Sequence, residues 1–210
     1  MGFTRAQLES YRDDVIEDLI GPDCRMLIVG INPGLWTAAT GAHFARPGNR
    51  FYPALHCAGI VDRIIDASDG FTDADRATLI DAGIGITNLV PRATARADDL
   101  TTAELRAGAL VLTETVSRVR PALVAFAGIT AYRTAFQRPK ATTGRQPDDD
   151  IAGCPVWVMP NPSGLNAHDT VDSLAAAYRD AATAAGLIVG DTVAAAVPPP
   201  REPVKKVRRR

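Results

Sequence analysis

Cysteine, histidine and lysine are all scarce in this chain, and each shortage closes off a class of chemistry. Three cysteines, Cys24, Cys57 and Cys154, are an odd number at wide spacing. They support neither a disulfide framework nor a CxxC metal or redox motif. The three histidines, His43, His56 and His168, do not fall at metal-ligand spacing, so no metal and no other cofactor is expected. Lysine occurs only at Lys140, Lys205 and Lys206, so only Lys140 lies in the body of the chain and there is no evident catalytic lysine for Schiff-base chemistry. No apolar run approaches the ~18 residues of a membrane span. The opening MGFTRAQLESYRDD turns polar at once, unlike a signal peptide, and Ala6 stands where myristoylation needs Ser or Thr. Walker, GxGxxG and GxSxG motifs are missing as well. These absences predict a protein of a reducing cytoplasm. The 20 arginines against 3 lysines in an Ala-rich chain suggest a GC-rich bacterial source.

What is present describes a globular domain. Hydrophobic residues make up 46% and charged residues 22%, which excludes wholesale disorder. The formal charge of −1 hides an asymmetry. Residues 201–210 hold six basic residues and one acidic one, leaving 17 basic against 23 acidic residues before them. Pro198–Pro200 precede this segment and favour an extended linker. The expected organisation is a single domain over 1–190, followed by a Pro-rich linker and a disordered basic tail over 191–210. The tail is either a non-specific phosphate contact or a solvated end.

Hydrophobic periodicity orders the body. Thr4 and Gln7 form a capping-box pattern that predicts a helix to about Ile20. Residues 25–31, RMLIVGI, are an apolar run of strand length, expected to be buried on both faces. A long loop from Asn32 to about Asn49 follows, then helices near 51–58 and 73–82. A second strand is expected over 83–89, a helix from the Thr101/Glu104 box to about Arg120, a third strand over 122–127, and a short helix to Phe136. The polar stretch 138–151 reads as a surface loop. A fourth strand over 155–159 and a helix over 170–185, closed by Gly186, complete the pattern. Strands alternating with helices imply right-handed crossovers and a mostly parallel sheet.

Two strands run directly into loops rich in Asn, Pro and Gly: Ile31-Asn-Pro-Gly-Leu35 and Pro160-Asn-Pro-Ser-Gly-Leu165. Sites in open α/β sheets lie outside the carboxyl ends of strands, so these loops mark the candidate site. Asn32 follows the first strand. Pro33 fixes φ, and Gly34 allows close backbone approach to a ligand. An amide can hold a water by donating and accepting at once, but it cannot take up a proton as a useful base. A reaction it serves must need little push from the nucleophile, as in breaking an N-glycosidic bond. The competing role for Asn32 is a turn or helix N-cap. Ser163 with the nearby His168-Asp169 is a weak basis for a hydrolase triad.

Larger blocks decide between these readings. Gly30-Ile-Asn-Pro-Gly-Leu35, Gly41-Ala-His-Phe44 and Pro47-Gly-Asn-Arg-Phe51 closely resemble the first active-site segment of the mismatch-specific uracil-DNA and thymine-DNA glycosylase family. Met159-Pro-Asn-Pro-Ser-Gly-Leu165 resembles its second segment. Gly85-Ile-Thr-Asn-Leu-Val90, followed by Arg92 and Thr94, is similar to its middle block. The resemblance spans about residues 24–186. It implies a three-layer α/β/α sandwich around a mostly parallel sheet of four to five strands, and a monofunctional, monomeric glycosylase. The implied substrate is uracil in mismatched double-stranded DNA, above all G·U, with thymine or ethenocytosine as further bases. Asn32 would position the attacking water, and Phe44 would stack on the extruded base. Gly30, Ile31, Gly34, Thr37, His43 and Asn88 would line the pocket. Asn161, Pro162, Ser163, Gly164, Leu165 and Asn166 would form the loop that enters the duplex and reads the widowed guanine, with Leu165 as the wedge. Asn32 in place of the Asp of some uracil-excising families implies slow chemistry. Asn88 and His43 match the thymine-type enzymes, whereas the methyl of Thr37 would crowd a thymine methyl. Iron–sulfur relatives need four cysteines. Two alternatives stand beside this reading: a catalytically silent binder of mismatched or abasic DNA, and a small-molecule α/β hydrolase.

The charge asymmetry makes its own prediction. Deleting residues 201–210 is expected to weaken binding to all duplexes alike and to flatten its salt dependence, through loss of counterion release. A salt slope equal to that of the full chain assigns the tail to solvent.

Overall fold

The computed structural model describes residues 2–188. The Pro-rich linker and basic tail lie outside the described residues. Five strands, β1 (Met26–Gly30), β2 (Ile84–Asn88), β3 (Leu123–Ala127), β4 (Gly144–Ile151) and β5 (Cys154–Met159), form one sheet in the order β2-β1-β3-β5-β4. β1 pairs in parallel with β2 on one edge and with β3 on the other, and β5 extends the parallel set beyond β3. β4 runs antiparallel to β5. The helices are α1 (Arg5–Glu9), α2 (Leu35–Thr40), α3 (Phe51–Cys57), α4 (Asp73–Asp81), α5 (Thr102–Val119), α6 (Ile129–Ala135) and α7 (Val171–Ala184).

Strand alternation divides the core in two. Met26 and Ile28 of β1, with Leu123 and Ala125 of β3, face a cluster that includes Leu55 of α3, Leu79 of α4 and Tyr178 of α7. Leu27 and Val29, with Val124 and Phe126, face Leu112 and Val116 of α5 and Tyr132 of α6. The result is the expected three-layer α/β/α sandwich. Both faces of β1 are covered, which is why its sequence is a continuous apolar run rather than an alternating one.

Three expectations are corrected. The helix expected from Thr4 to Ile20 stops at Glu9, and none of its five residues is buried. Asp13 takes a positive φ of 67°, and the chain then runs extended beside β2. Leu19 and Ile86 exchange both backbone hydrogen bonds, at 2.9 and 2.7 Å. Pairing with a sheet edge outweighs the local helix signal, because α1 has no apolar face to bury. The loop expected over 32–49 contains α2, closed by Gly41 at φ 66°. The loop expected over 138–151 contains β4, in spite of its Pro and three Asp. Register shifts between Gln146 and Asp150, so Pro147 falls in the irregularity, where its missing N–H costs no ladder bond. The charged outer positions suit an edge strand exposed to water. The remaining elements lie within a few residues of their expected bounds, and the Thr101/Glu104 capping box closes in both directions.

α5 approaches the sheet because Gly108 lacks a side chain. A Cβ there would lie 2.1 Å from the carbonyl oxygen of Leu89, just beyond β2. Alanine in place of glycine inside a helix ordinarily gains about 1 kcal/mol. Gly108→Ala is expected to lose stability instead, by about 1–3 kcal/mol through overpacking. A raised melting temperature in thermal denaturation would contradict this contact.

Candidate active site

The chain leaves β1 at the point where the sheet order reverses, since β2 lies on one side and β3 on the other. A crevice opens at such a switch, and Asn32 sits at its mouth. The backbone after β1 is tied to the segment after β2. Leu89 N donates to Gly30 O at 2.9 Å, Val90 N to Ile31 O at 3.0 Å and Thr94 N to Pro33 O at 3.1 Å. The half-buried Asn32 side chain completes this seam. Its Nδ2 donates to Pro33 O at 3.0 Å, Arg92 O at 3.1 Å and Thr94 Oγ1 at 2.7 Å. Two of those partners are carbonyls, which only accept, so the amide nitrogen must face them. Oδ1 is left without a partner among the described residues and free to accept a hydrogen bond from a water. The Thr94 hydroxyl spends its own proton on Arg96 O at 2.7 Å. Asn32 is not the N-cap of α2; that position belongs to Gly34, which makes no side-chain cap.

A second amide is oriented by the same logic. His43 is buried, and its Nε2 lies 3.1 Å from the carbonyl of Glu17. That contact puts the proton on Nε2 and leaves Nδ1 as an acceptor. Asn88 Nδ2 approaches Nδ1 at 3.4 Å, so Asn88 Oδ1 turns toward Gly30, where a Cβ would lie only 2.6 Å from it. The Phe44 ring reaches the same place, with its Cζ 3.6 Å from that hypothetical Cβ. Phe44 has a positive φ of 55°, uncommon outside glycine, and stacks on Phe51 with centroids 4.0 Å apart and planes at 23°. Gly30, Phe44 and Asn88 therefore converge at the end of β1. Thr37 is buried on α2, and its side chain makes no hydrogen bond to Asn32, Phe44 or Asn88.

The loop after β5 faces this group. Ile31 Cδ1 and Asn161 Nδ2 both lie near Gly128, at 3.5 and 3.7 Å from the position of a Cβ there, which brings the ends of β1, β3 and β5 together. Asn161 Oδ1 accepts from Ser163 N at 2.9 Å, and Asn166 Nδ2 donates to Asn161 O at 3.0 Å and to Asp169 Oδ2 at 2.8 Å. Leu165 at the tip is 77% exposed, which rules out a core role. A cleft of about 180 Å³ lies between Arg46, Pro47 and Asn49 on one side and Ser163, Gly164 and Leu165 on the other. A larger groove of about 490 Å³ runs beside β4, lined by residues that include Lys140 and Arg145, and contains none of the site residues expected from sequence. The smaller cleft is lined by residues of the expected duplex-entering loop, Ser163 to Leu165, whereas the oriented amides Asn32 and Asn88 lie apart from it at the end of β1.

Residues 17–182 match the model of the uracil DNA glycosylase superfamily. The chain belongs to the uracil-DNA glycosylase superfamily. Membership assigns uracil-DNA-glycosylase-type activity, that of a DNA-repair hydrolase. The fold has a counterpart in the "Solution NMR Structure of a putative Uracil DNA glycosylase from Methanosarcina acetivorans". That structure matches with a TM-score of 0.55 at 18% identity, over 84% of this chain and 98% of the other. Among the described residues of this superfamily member, no helix is long and apolar enough to cross a membrane.

Sequence reasoning passed over three groups that hold the expected site residues in place. Thr94 and Arg50 lay inside the matched blocks, but nothing in their spacing showed which backbone or amide they would meet. The Glu17 carbonyl that fixes His43 comes from the segment misread as helix.

The buried His43 imidazole is held at about 4, below its ordinary 6.5, mainly by desolvation and also by the nearby charge of Arg76, against the opposing Glu17 hydrogen bond. The unfolded chain therefore binds a proton that the folded chain refuses between those values. The stability contributed by the neutral ring is full above about pH 6.5 and is lost as pH falls toward 4. Urea unfolding is expected to show wild-type stability falling more steeply than that of His43→Gln over this interval, by up to ~1.4 kcal/mol per pH unit. Equal slopes would mean that His43 is not held neutral.

Proposed function

We propose that this superfamily member is a mismatch-specific, monofunctional DNA glycosylase that acts as a monomer on double-stranded DNA. It flips uracil out of the helix, preferably from G·U, and hydrolyses the N-glycosidic bond in base excision repair in the cytoplasm. The observation that carries the reading is the Asn32 amide, anchored through Nδ2 by three acceptors and leaving Oδ1 free. That amide can orient a water but cannot deprotonate it. The bond to the base therefore breaks first, the sugar becomes cation-like, and the oriented water then adds to it. A leaving base carries negative charge, so donors already in place near it lower the barrier. Asn88, with Oδ1 toward Gly30, supports recognition of the pyrimidine edge. The half-buried Phe44 ring, fixed against Phe51, supports stacking on the flipped base, worth ~1–3 kcal/mol.

Base extrusion costs a few kcal/mol and costs least at a mispair, which supports the preference for G·U over A·U. Leu165, exposed on a loop beside the cleft, fits a wedge that fills the vacated stack. The test is excision from duplexes carrying G·U, A·U, G·T and ethenocytosine, with alkaline cleavage of abasic sites. The expected result is strongest cleavage of G·U. Asn32→Ala is expected to reduce the single-turnover rate by ~10²–10³ while mismatch binding persists. Excision by Asn32→Ala within about threefold of wild type, far short of the loss expected for a preorganised polar group, would remove Asn32 from the mechanism. Tight mismatch binding with no excision by the wild type would instead favour a silent binding protein.

A further inference from the structure

We propose that Arg50 is a positioning residue that holds the wedge loop in register with the base pocket, so that insertion of Leu165 and stacking on Phe44 occur together. This rests on the reading of residues 161–166 as the loop that enters the duplex. Arg50 Nη2 donates to Ser163 O and to Asn166 O, both at 2.6 Å, and Nη1 donates to Asp169 O. The Arg50 backbone N donates to Pro162 O at 3.0 Å. Four carbonyls spread over residues 162–169 thus converge on one residue, and they flank Leu165 on both sides. The next residue, Phe51, carries the ring stacked on Phe44. Base platform and wedge are therefore joined through a single peptide unit. The two loops also interlock by shape, since a Cβ on Gly164 would lie 2.7 Å from Gly48 O.

The choice of residue argues for positioning rather than for stability. Among the described residues Arg50 has no ion-pair partner, and its Nε is buried without a hydrogen bond. Placing a guanidinium among neutral carbonyls forgoes the attraction of a carboxylate that would offset its desolvation. What the guanidinium supplies is a rigid planar fork with donors in fixed directions, which can hold several carbonyls at a set spacing. Lysine, a flexible point charge, cannot span them.

Single-turnover excision by the full chain tests this on G·U and A·U duplexes with 2-aminopurine beside the uracil to report unstacking. Arg50→Ala and Arg50→Lys are expected to lose at least about tenfold in maximal rate and to show a weaker unstacking signal, with the larger loss opposite adenine, where pairing pulls hardest. If Arg50 acts through the wedge, Arg50→Ala in a Leu165→Ala background should lower the rate by no more than about twofold, the mark of coupled residues. Gly164→Ala, which displaces the loop with Arg50 intact, should reproduce the Arg50→Ala behaviour. That variant, with Arg50→Lys, carries the test should Arg50→Ala fail to fold. Losses that multiply in the double variant, or a wild-type unstacking signal in Gly164→Ala and Arg50→Lys, overturn the proposal. A wild type inactive on every uracil duplex overturns the glycosylase reading beneath it, a separate result visible before any variant is made.

Discussion

The parallel pairing of Met26–Gly30 with Ile84–Asn88 on one side and Leu123–Ala127 on the other is the constraint from which the site follows. A strand hydrogen-bonded on both edges and covered on both faces has no freedom to shift. A one-residue slip would turn Met26 and Ile28 toward the wrong helix layer. The residues leaving that strand inherit its rigidity. Asn32 therefore emerges at a fixed height above the crevice, and two of the three acceptors that orient it, Arg92 O and Thr94 Oγ1, come from the segment after β2, fixed by the same register.

Orientation is the second contribution of the fold. An amide side chain has two nearly isosteric ends, and a catalytic or recognition role depends on which one faces the ligand. At Asn32 the choice is made by carbonyls that can only accept. At Asn88 it is made by a neutral histidine whose other nitrogen is committed to the Glu17 carbonyl. Each case uses backbone acceptors, which do not titrate. The polar arrangement is thus independent of pH until His43 itself can be protonated. Arg92 braces the same region, bridging Glu104 at 2.5 Å and Asp13 at 2.9 Å. Hydrogen bonds from Arg92 and Thr101 hold the Glu104 carboxyl down at about 2.

Strand ends supply rigid functional groups, whereas the loops between Arg46 and Arg50 and between Asn161 and Asn166 supply shape. Loop residues reach solvent and tolerate exposure of an apolar tip such as Leu165. They need a tether to keep that tip in place, and here the tethers are mostly main-chain carbonyls gathered by one side chain. A site built this way combines a preorganised amide with a loop whose placement depends on few contacts.

The sequence by itself determined the layered α/β class, because buried parallel strands must read as apolar runs and their crossovers as amphipathic helices. It also marked the loops around Asn32 and Asn161, because Asn, Pro and Gly directly after a strand are local and visible, whereas the block around Asn88 was legible only by its resemblance to a known family. Three features were decided only by tertiary structure. The segment 14–20 chose an extended course because the edge of β2 offered Leu19 two backbone hydrogen bonds that the helix pattern could not foresee. The polar stretch 144–151 became a strand because β5 presented an open edge to it, and one-sided burial of Gln146 and Ile151 was enough to hold it. The direction in which Asn32 and Asn88 point was settled in large part by the carbonyls of Arg92 and Glu17, distant in sequence, the second acting through His43. Carbonyl positions leave no trace in side-chain identity, since every residue type carries the same one.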